Sequence, residues 1–217
     1  MVDPVSRKIN TSNLKSVSAL LNKHKIDYCV FFGTALGVYR EQGIIGHDDD
    51  IDILVDAKSY QKVLDLFGGT RVFIGLKGRG LRFGYHLTKH VQENILCQFS
   101  KTHYLQKEGF RVMSYIDFYF YLEDTNTLVE KWNFSGDWKN HANHLHIPKS
   151  LILPTKEIAL QGFTTRVPNK LLESCQFLYG ERFLEPLRKF VDYEVNIKNN
   201  KPFIQYFKPS RADSTRI

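Results

Sequence analysis

The sequence predicts an α/β chain, a mixed β-sheet flanked by helices. A single domain is expected over residues 1–196, with a basic tail from 197 to 217. Three observations carry this. An apolar run, Tyr28 to Phe32, stops abruptly at Gly33-Thr34. Asp50-Ile51-Asp52-Ile53 alternates acid and aliphatic with a period of two, the mark of a strand with unlike faces. Between and around these strands, apolar residues recur at helical spacing.

In chain order, residues 1–11 read as a polar lead-in, and Ser12 caps a helix whose Leu14, Val17, Leu20 and Leu21 share one face and which ends near Lys25. Tyr28–Phe32 is a short buried strand, and Ala35–Glu41 a short helix. Asp50–Val55 is the next strand. Ser59 then opens a helix with Val63, Leu64 and Phe67 inward, which Gly68-Gly69 ends. Residues 71–99 are β-like at Val72–Ile74, Leu81–His86 and Ile95–Phe99, punctuated by glycines. Lys77, Arg79 and Arg82 among them suit phosphate contact and polar hairpin positions equally well. Tyr115–Tyr121 is a strand with Asp117 set among aromatics, where an unpaired carboxylate would be costly. A helix is expected from about Asn169 to Tyr179, a further one over Leu184–Val195, and a loosely held polar tail from Ile197.

The acidic strand is the chemical centre. Side chains two apart on a strand point to one face, so Asp50 and Asp52 lie together, with Cα atoms roughly 7 Å apart. Asp48, Asp49, Asp50 and Asp52 place four like charges in five positions, an arrangement that raises its own pKa values or recruits a cation. A solvated acidic turn is the plain alternative, but a turn would not thread Ile51, Ile53, Leu54 and Val55 through its charges. Carboxylates suit a hard cation, Mg²⁺ or Mn²⁺. Asp48 is expected beside the metal or as a further ligand, and Asp49 to point away. Gly33-Thr34 between strand and helix lets a phosphate approach the backbone closely, and Arg40 could add a bidentate grip on its oxygens.

Composition bounds the partners. Of 217 residues, 42% are hydrophobic and 24% charged, as in an ordinary globular protein, and 16 Phe with 11 Tyr suggest a β-rich core. The net charge of +7 fits an anionic substrate drawn to a basic field. The basic residues are dispersed and form no nucleic-acid-binding motif, so no nucleic-acid partner is expected. Cys29, Cys97 and Cys175 have no Cys-x-x-Cys spacing and read as buried thiols of a reducing compartment. With no apolar leader and no run of transmembrane length, a cytoplasmic protein is expected, with peripheral membrane contact left open. His141, His144 and His146 lack a nearby Cys to complete a tetrahedral zinc set; one of them could still line the pocket.

The run Gly33-Thr34-x-Leu36-Gly37-x-x-Arg40-x-x-Gly43-x-Ile45-x-x-Asp48-Asp49-Asp50-Ile51-Asp52 resembles the central motif of the LicD family, related to the fukutins and belonging to the nucleotidyltransferase fold. Val167-Pro168 followed by a helix ending in Tyr179-Gly180 resembles that family's tail. Two departures stand at the pocket's edge: Gly46-His47 where the family carries Pro-Trp, and Tyr39 ahead of Arg40. His47 is therefore expected to tune the donor pocket. The resemblance implies a nucleotidyltransferase-like sheet in which Asp117, on a neighbouring strand, faces the Asp50/Asp52 pair, completing the metal site or taking a proton. It also implies transfer of a phosphorylated small group, such as phosphocholine or ribitol phosphate, from a CDP-linked donor to a glycan or glycolipid hydroxyl, with CMP leaving. The alternatives are nucleotidyl transfer from an NTP with release of pyrophosphate, a non-catalytic nucleic-acid or nucleotide-binding protein, and an inactive relative that binds nucleotide.

Overall fold

In the computed structural model the described residues are 4–46, 48, 50–67, 70–77, 80–86, 96–98, 106–107, 110–111, 115–130, 145–185 and 192–207. His47, Asp49, Arg79, His141 and His144 lie outside them, as do the side chains of Lys77 and Arg82. The elements run α1 (Pro4–Lys23), β1 (Tyr28–Val30), α2 (Phe32–Glu41), β2 (Asp50–Asp56), a 3₁₀ turn (Ala57–Ser59) and α3 (Tyr60–Phe67). Then come β3 (Thr70–Lys77), β4 (Gly80–His86), β5 (Leu96–Gln98), β6 (Gln106–Lys107), β7 (Phe110–Arg111), β8 (Tyr115–Glu123), β9 (Thr127–Glu130) and β10 (His146–Pro148). The chain continues through α4 (Lys149–Ile152), β11 (Lys156–Leu160), β12 (Phe163–Val167), α5 (Leu171–Tyr179), β13 (Asp192–Lys198) and β14 (Lys201–Phe207).

The mixed α/β class expected from sequence is what forms. The main sheet follows the order β1-β2-β8-β9-β10, with β5 also paired to β8. β2 and β8 are parallel at its centre, β5 joins β8 in parallel, and β1, β9 and β10 pair antiparallel with their neighbours. Alternation along β2 and β8 sorts their side chains onto two faces. Ile51, Ile53 and Val55 of β2 and Ile116, Phe118 and Phe120 of β8 share one face, which α3 covers through Phe67 against Phe118 and Tyr60 against Phe120. The other face carries Asp50, Asp52, Asp117 and Tyr119, and α2 starts on it with Phe31 and Phe32 packed edge-on to Tyr119. Among the described residues no helix is long and apolar enough to cross a membrane.

Two ends of the chain differ from the sequence reading. The first helix begins at Pro4, not at Ser12. Proline suits a first helical turn, where its missing N–H costs nothing. The inward stripe of α1 is apolar at Leu14, Val17 and Leu21 but polar at Asn10 and Asn13, so its apolar signal weakens toward the first half although both asparagines are buried. At the other end, β13 and β14 form an antiparallel hairpin where a helix over Leu184–Val195 and a loose tail were expected. Asp192 to Lys198 alternates polar and apolar residues, a period-two pattern. Ile204 rests on the core, and the carbonyl of Asn200 accepts from the N–H of His146.

Candidate active site

The register of β2 and β8 builds the acidic centre. Asp52 stands opposite Asp117, and Asp50 opposite Tyr115. Neighbouring strands are about 4.8 Å apart, and in-register residues of parallel strands face the same side, so two carboxylates meet across the ladder while Asp50 joins along its own strand. One carboxylate oxygen from each of Asp50, Asp52 and Asp117 lies within 4.8 Å of the other two. Asp52 is 5% exposed and Asp117 1%, while Asp50 is half-buried at the open end. Three convergent hard-oxygen donors, two of them withdrawn from water, are a fitting set for one or two divalent cations.

The strand-to-helix step is wired into this centre. After β1, Phe31 stays extended and its N–H donates to the carbonyl of Asp52 at 2.9 Å. Phe32 then takes a positive φ of 33°, a strained conformation for a bulky residue, as the chain swings into α2. Helix therefore includes Gly33 and Thr34, which the sequence reading left ahead of it. The N–H of Gly33 donates to Oδ2 of Asp52 at 3.0 Å, and the N–H of Asp52 donates to the hydroxyl of Thr34 at 2.8 Å. These two bonds lock the first turn of α2 to β2. Thr34 is 1% exposed, so its hydroxyl belongs at least in part to this lock.

Asp48 arrives by a different route. α2 ends at Gln42, which adopts the left-handed conformation, and the chain doubles back along the helix. A Cβ on Gly37 would meet the carbonyl oxygen of Gly43 at 2.6 Å; one on Gly33 would meet Oδ2 of Asp48 at 2.7 Å and Oδ2 of Asp52 at 3.5 Å. Gly33 and Gly37 lie four apart on one helix face, so together they form the groove in which the returning loop lies. Ile44 and Ile45 anchor that loop in the core. The carboxylate of Asp48 thus crowds the same Cα as that of Asp52. Arg40 sits in the last turn of α2, about 10 Å along the axis from Gly33, and pairs with Glu41 at 2.9 Å. The structure does not bring Arg40 into the carboxylate cluster. His47 lies outside the described residues.

Tyr119 is a neighbour the sequence reading passed over, although it lies two residues after Asp117 and hence on the same face. Its hydroxyl is 3.5 Å from Oδ2 of Asp117. Burial, then the charges of Asp52, Asp117, Asp50 and Glu130, push its pKa well above the ordinary tyrosine value, which keeps it a hydrogen-bond donor.

Residues 25–170 match the family described as "LicD/FKTN/FKRP, nucleotidyltransferase domain". The chain belongs to the LicD family. Over 87 residues it is 42% identical to an uncharacterised protein of Rickettsia typhi, covering 39% of this chain and 24% of that one. Over 49 residues it is 39% identical to the lipopolysaccharide cholinephosphotransferase LicD of Haemophilus influenzae, covering 23% of this chain and 18% of that one. An uncharacterised protein of Rickettsia prowazekii is 25% identical over 219 aligned residues, covering 90% of this chain and 75% of that one. The chain therefore spans about a quarter or less of the first two relatives. The LicD-family match begins after α1, which lies wholly outside it.

Proposed function

We propose that this LicD-family chain is a divalent-cation-dependent phosphotransferase that moves a phosphorylated small group from a CDP-linked donor to a glycan hydroxyl, releasing CMP. The observation that carries the reading is the convergence of Asp50, Asp52 and Asp117 from two in-register strands, within a family whose Haemophilus member is a lipopolysaccharide cholinephosphotransferase. Asp50 and Asp52 hold Mg²⁺ or Mn²⁺, with Asp117 as third ligand. A bound cation would neutralise charge on the transferring phosphorus and on the leaving oxygen.

The rest falls to the chain. The acceptor oxygen forms a bond to the phosphorus nearer the small group as the bond from that phosphorus to the bridging oxygen breaks, and CMP departs with the electron pair. In this reading Asp117 completes the metal site or takes the proton of the acceptor hydroxyl, and the Tyr119 hydroxyl, 3.5 Å from its Oδ2, would help to orient it. Gly33 and Thr34, in the first turn of α2, set the partial positive end of that helix beside the donor phosphates. Asp48 lies close enough to add negative charge to the cation site. Arg40 is assigned to the donor's phosphates and His47 to the donor pocket, both on their place in the motif. The reading places the reaction in the cytoplasm, whose reducing conditions suit the buried thiols Cys29 and Cys175.

The test is leaving-group analysis with CDP-choline, CDP-ribitol, CDP-glycerol and the four NTPs, Mn²⁺ or Mg²⁺, and mixed sugar acceptors. CMP released from one CDP donor, and lost in Asp52→Asn, supports the proposal and names the cargo. Pyrophosphate from an NTP would make the chain a nucleotidyltransferase instead.

A further inference from the structure

We propose that Asn10 of α1 is a positioning residue for the cation site, acting through Asp48. The inference rests on the reading of the acidic cluster as a divalent-cation site. It adds an element that the family match does not contain, since that match starts at residue 25.

Asn10 is 0% exposed, and its side-chain amide donates to the main-chain carbonyl of Asp48 at 3.1 Å, across 38 positions of sequence. A buried amide is costly unless its hydrogen bonds are met, so an asparagine there has a defined task. The loop it grips is otherwise held from the opposite side. Gln161, in the turn between β11 and β12, donates its amide to the carbonyl of Gln42 at 3.1 Å, and the Gly33/Gly37 groove receives the segment between. Asn10 therefore closes the clamp at the end that carries the acid.

The clamp has electrostatic work to do. The carboxylate of Asp48 sits against Gly33 on the same side as that of Asp52, which belongs to the cluster with Asp50 and Asp117. Like charges at this range repel, and a loop anchored at Gln42, Ile44 and Ile45 but released beyond them would let Asp48 turn outward to water. The bond from Asn10 to the backbone carbonyl of Asp48 opposes that retreat. A fourth negative charge is thereby kept beside the three that face the cation. α1 can do this because its inward stripe changes character along its length. Leu14, Val17 and Leu21 pack in the core, while Asn10, one turn earlier on the same face, meets the loop.

Mn²⁺ titration of the full chain, followed by electron paramagnetic resonance of the free ion, tests this without needing a substrate. Asn10→Leu deletes the donor and keeps the volume. It is expected to weaken Mn²⁺ binding by about threefold to tenfold, the worth of one hydrogen bond to a buried group. Asp48→Asn should weaken it at least as much. The decisive arm is the double variant, which should bind no more weakly than Asp48→Asn alone if the influence of Asn10 on the cation runs through Asp48. Leu14→Ala is the control: it should lower the melting temperature with Mn²⁺ affinity unchanged. Should Asn10→Leu fail to fold, Asn10→Ala is read in the same way. Wild-type affinity in the Asn10 variant, or full additivity in the double, overturns the inference. Wild-type protein that binds no Mn²⁺ overturns the cation reading itself.

Discussion

Asp52 and Asp117 face one another because the strands that carry them are hydrogen-bonded in register, whereas Asp48 reaches the same neighbourhood on a loop pinned by side chains and glycines. On the strand side, geometry comes from the backbone, and no single side chain can undo it. On the loop side, geometry depends on a few contacts: the Gly33/Gly37 groove, Ile44 and Ile45 in the core, Gln161 at one end and Asn10 at the other. The difference teaches that charge and position are separable here. Substitutions on the strands should change the chemistry and leave the shape, and those around the loop should shift the shape and leave the strand-borne charges.

The largest effect is expected on the strands. Asp52→Asn keeps an oxygen to accept from the N–H of Gly33 but loses the charge. CMP release should fall by at least about a hundredfold, the scale of losing one preorganised electrostatic partner, while circular dichroism and melting temperature change little. Asp117→Asn should behave alike. Near-wild-type turnover in either would break the comparison at its first term.

Next comes a pair of glycines on one helix face. In Gly33→Ala the new methyl meets the end of the Asp48 side chain, which can swing away, so turnover should drop by roughly tenfold with a modest loss of stability. In Gly37→Ala the methyl meets backbone at Gly43, which cannot swing, so unfolding free energy should fall by about 1–3 kcal/mol. Parallel denaturant titrations and assays would show the two effects crossing; equal effects on both readouts would blur the distinction.

Thr34→Ala tests the tie between helix and strand. It leaves the buried N–H of Asp52 without its acceptor, which should cost about 1–3 kcal/mol of stability, measured in urea.

The smallest effect near neutral pH is on the strand side and appears only in alkali. Burial raises the pKa of Tyr28, Cys29, Tyr119 and Tyr121, and pushes Cys175 up to about 12. A group whose pKa is raised by folding is ionised first in the unfolded chain, so its stabilising contribution is complete below the ordinary value and declines above it. Stability should therefore stay level across neutral pH and fall from about pH 9–10 upward, as thermal melts in graded buffers would show. A flat profile to pH 11 would mean that these groups are more open to water than their burial implies.

The acidic strand was legible because its pattern is local. Alternation in Asp50-Ile51-Asp52-Ile53 specifies one acidic face whatever the strand pairs with, and the same logic marks Asp117 among its aromatics. Gly33 and Thr34 were found by their place after an apolar run, although their tasks differ in part from those expected: Gly33 admits Asp48, and Thr34 receives the N–H of Asp52. Arg40 was drawn in by spacing; it stands in the last turn of α2 and pairs with Glu41. Asn10 was invisible, because a polar residue in a polar stretch looks solvated until the partner that buries it is known.

By itself, the sequence determined the α/β class, the acidic face of β2 and, through a long motif of set spacing, the LicD family. These depend on neighbours along the chain, where side-chain direction follows from backbone period alone. Tertiary structure decided the register that sets Asp117 against Asp52, the groove that seats Asp48, and the contact that brings in α1. Those pair residues 65, 15 and 38 positions apart, and such partners are chosen by how the whole core packs.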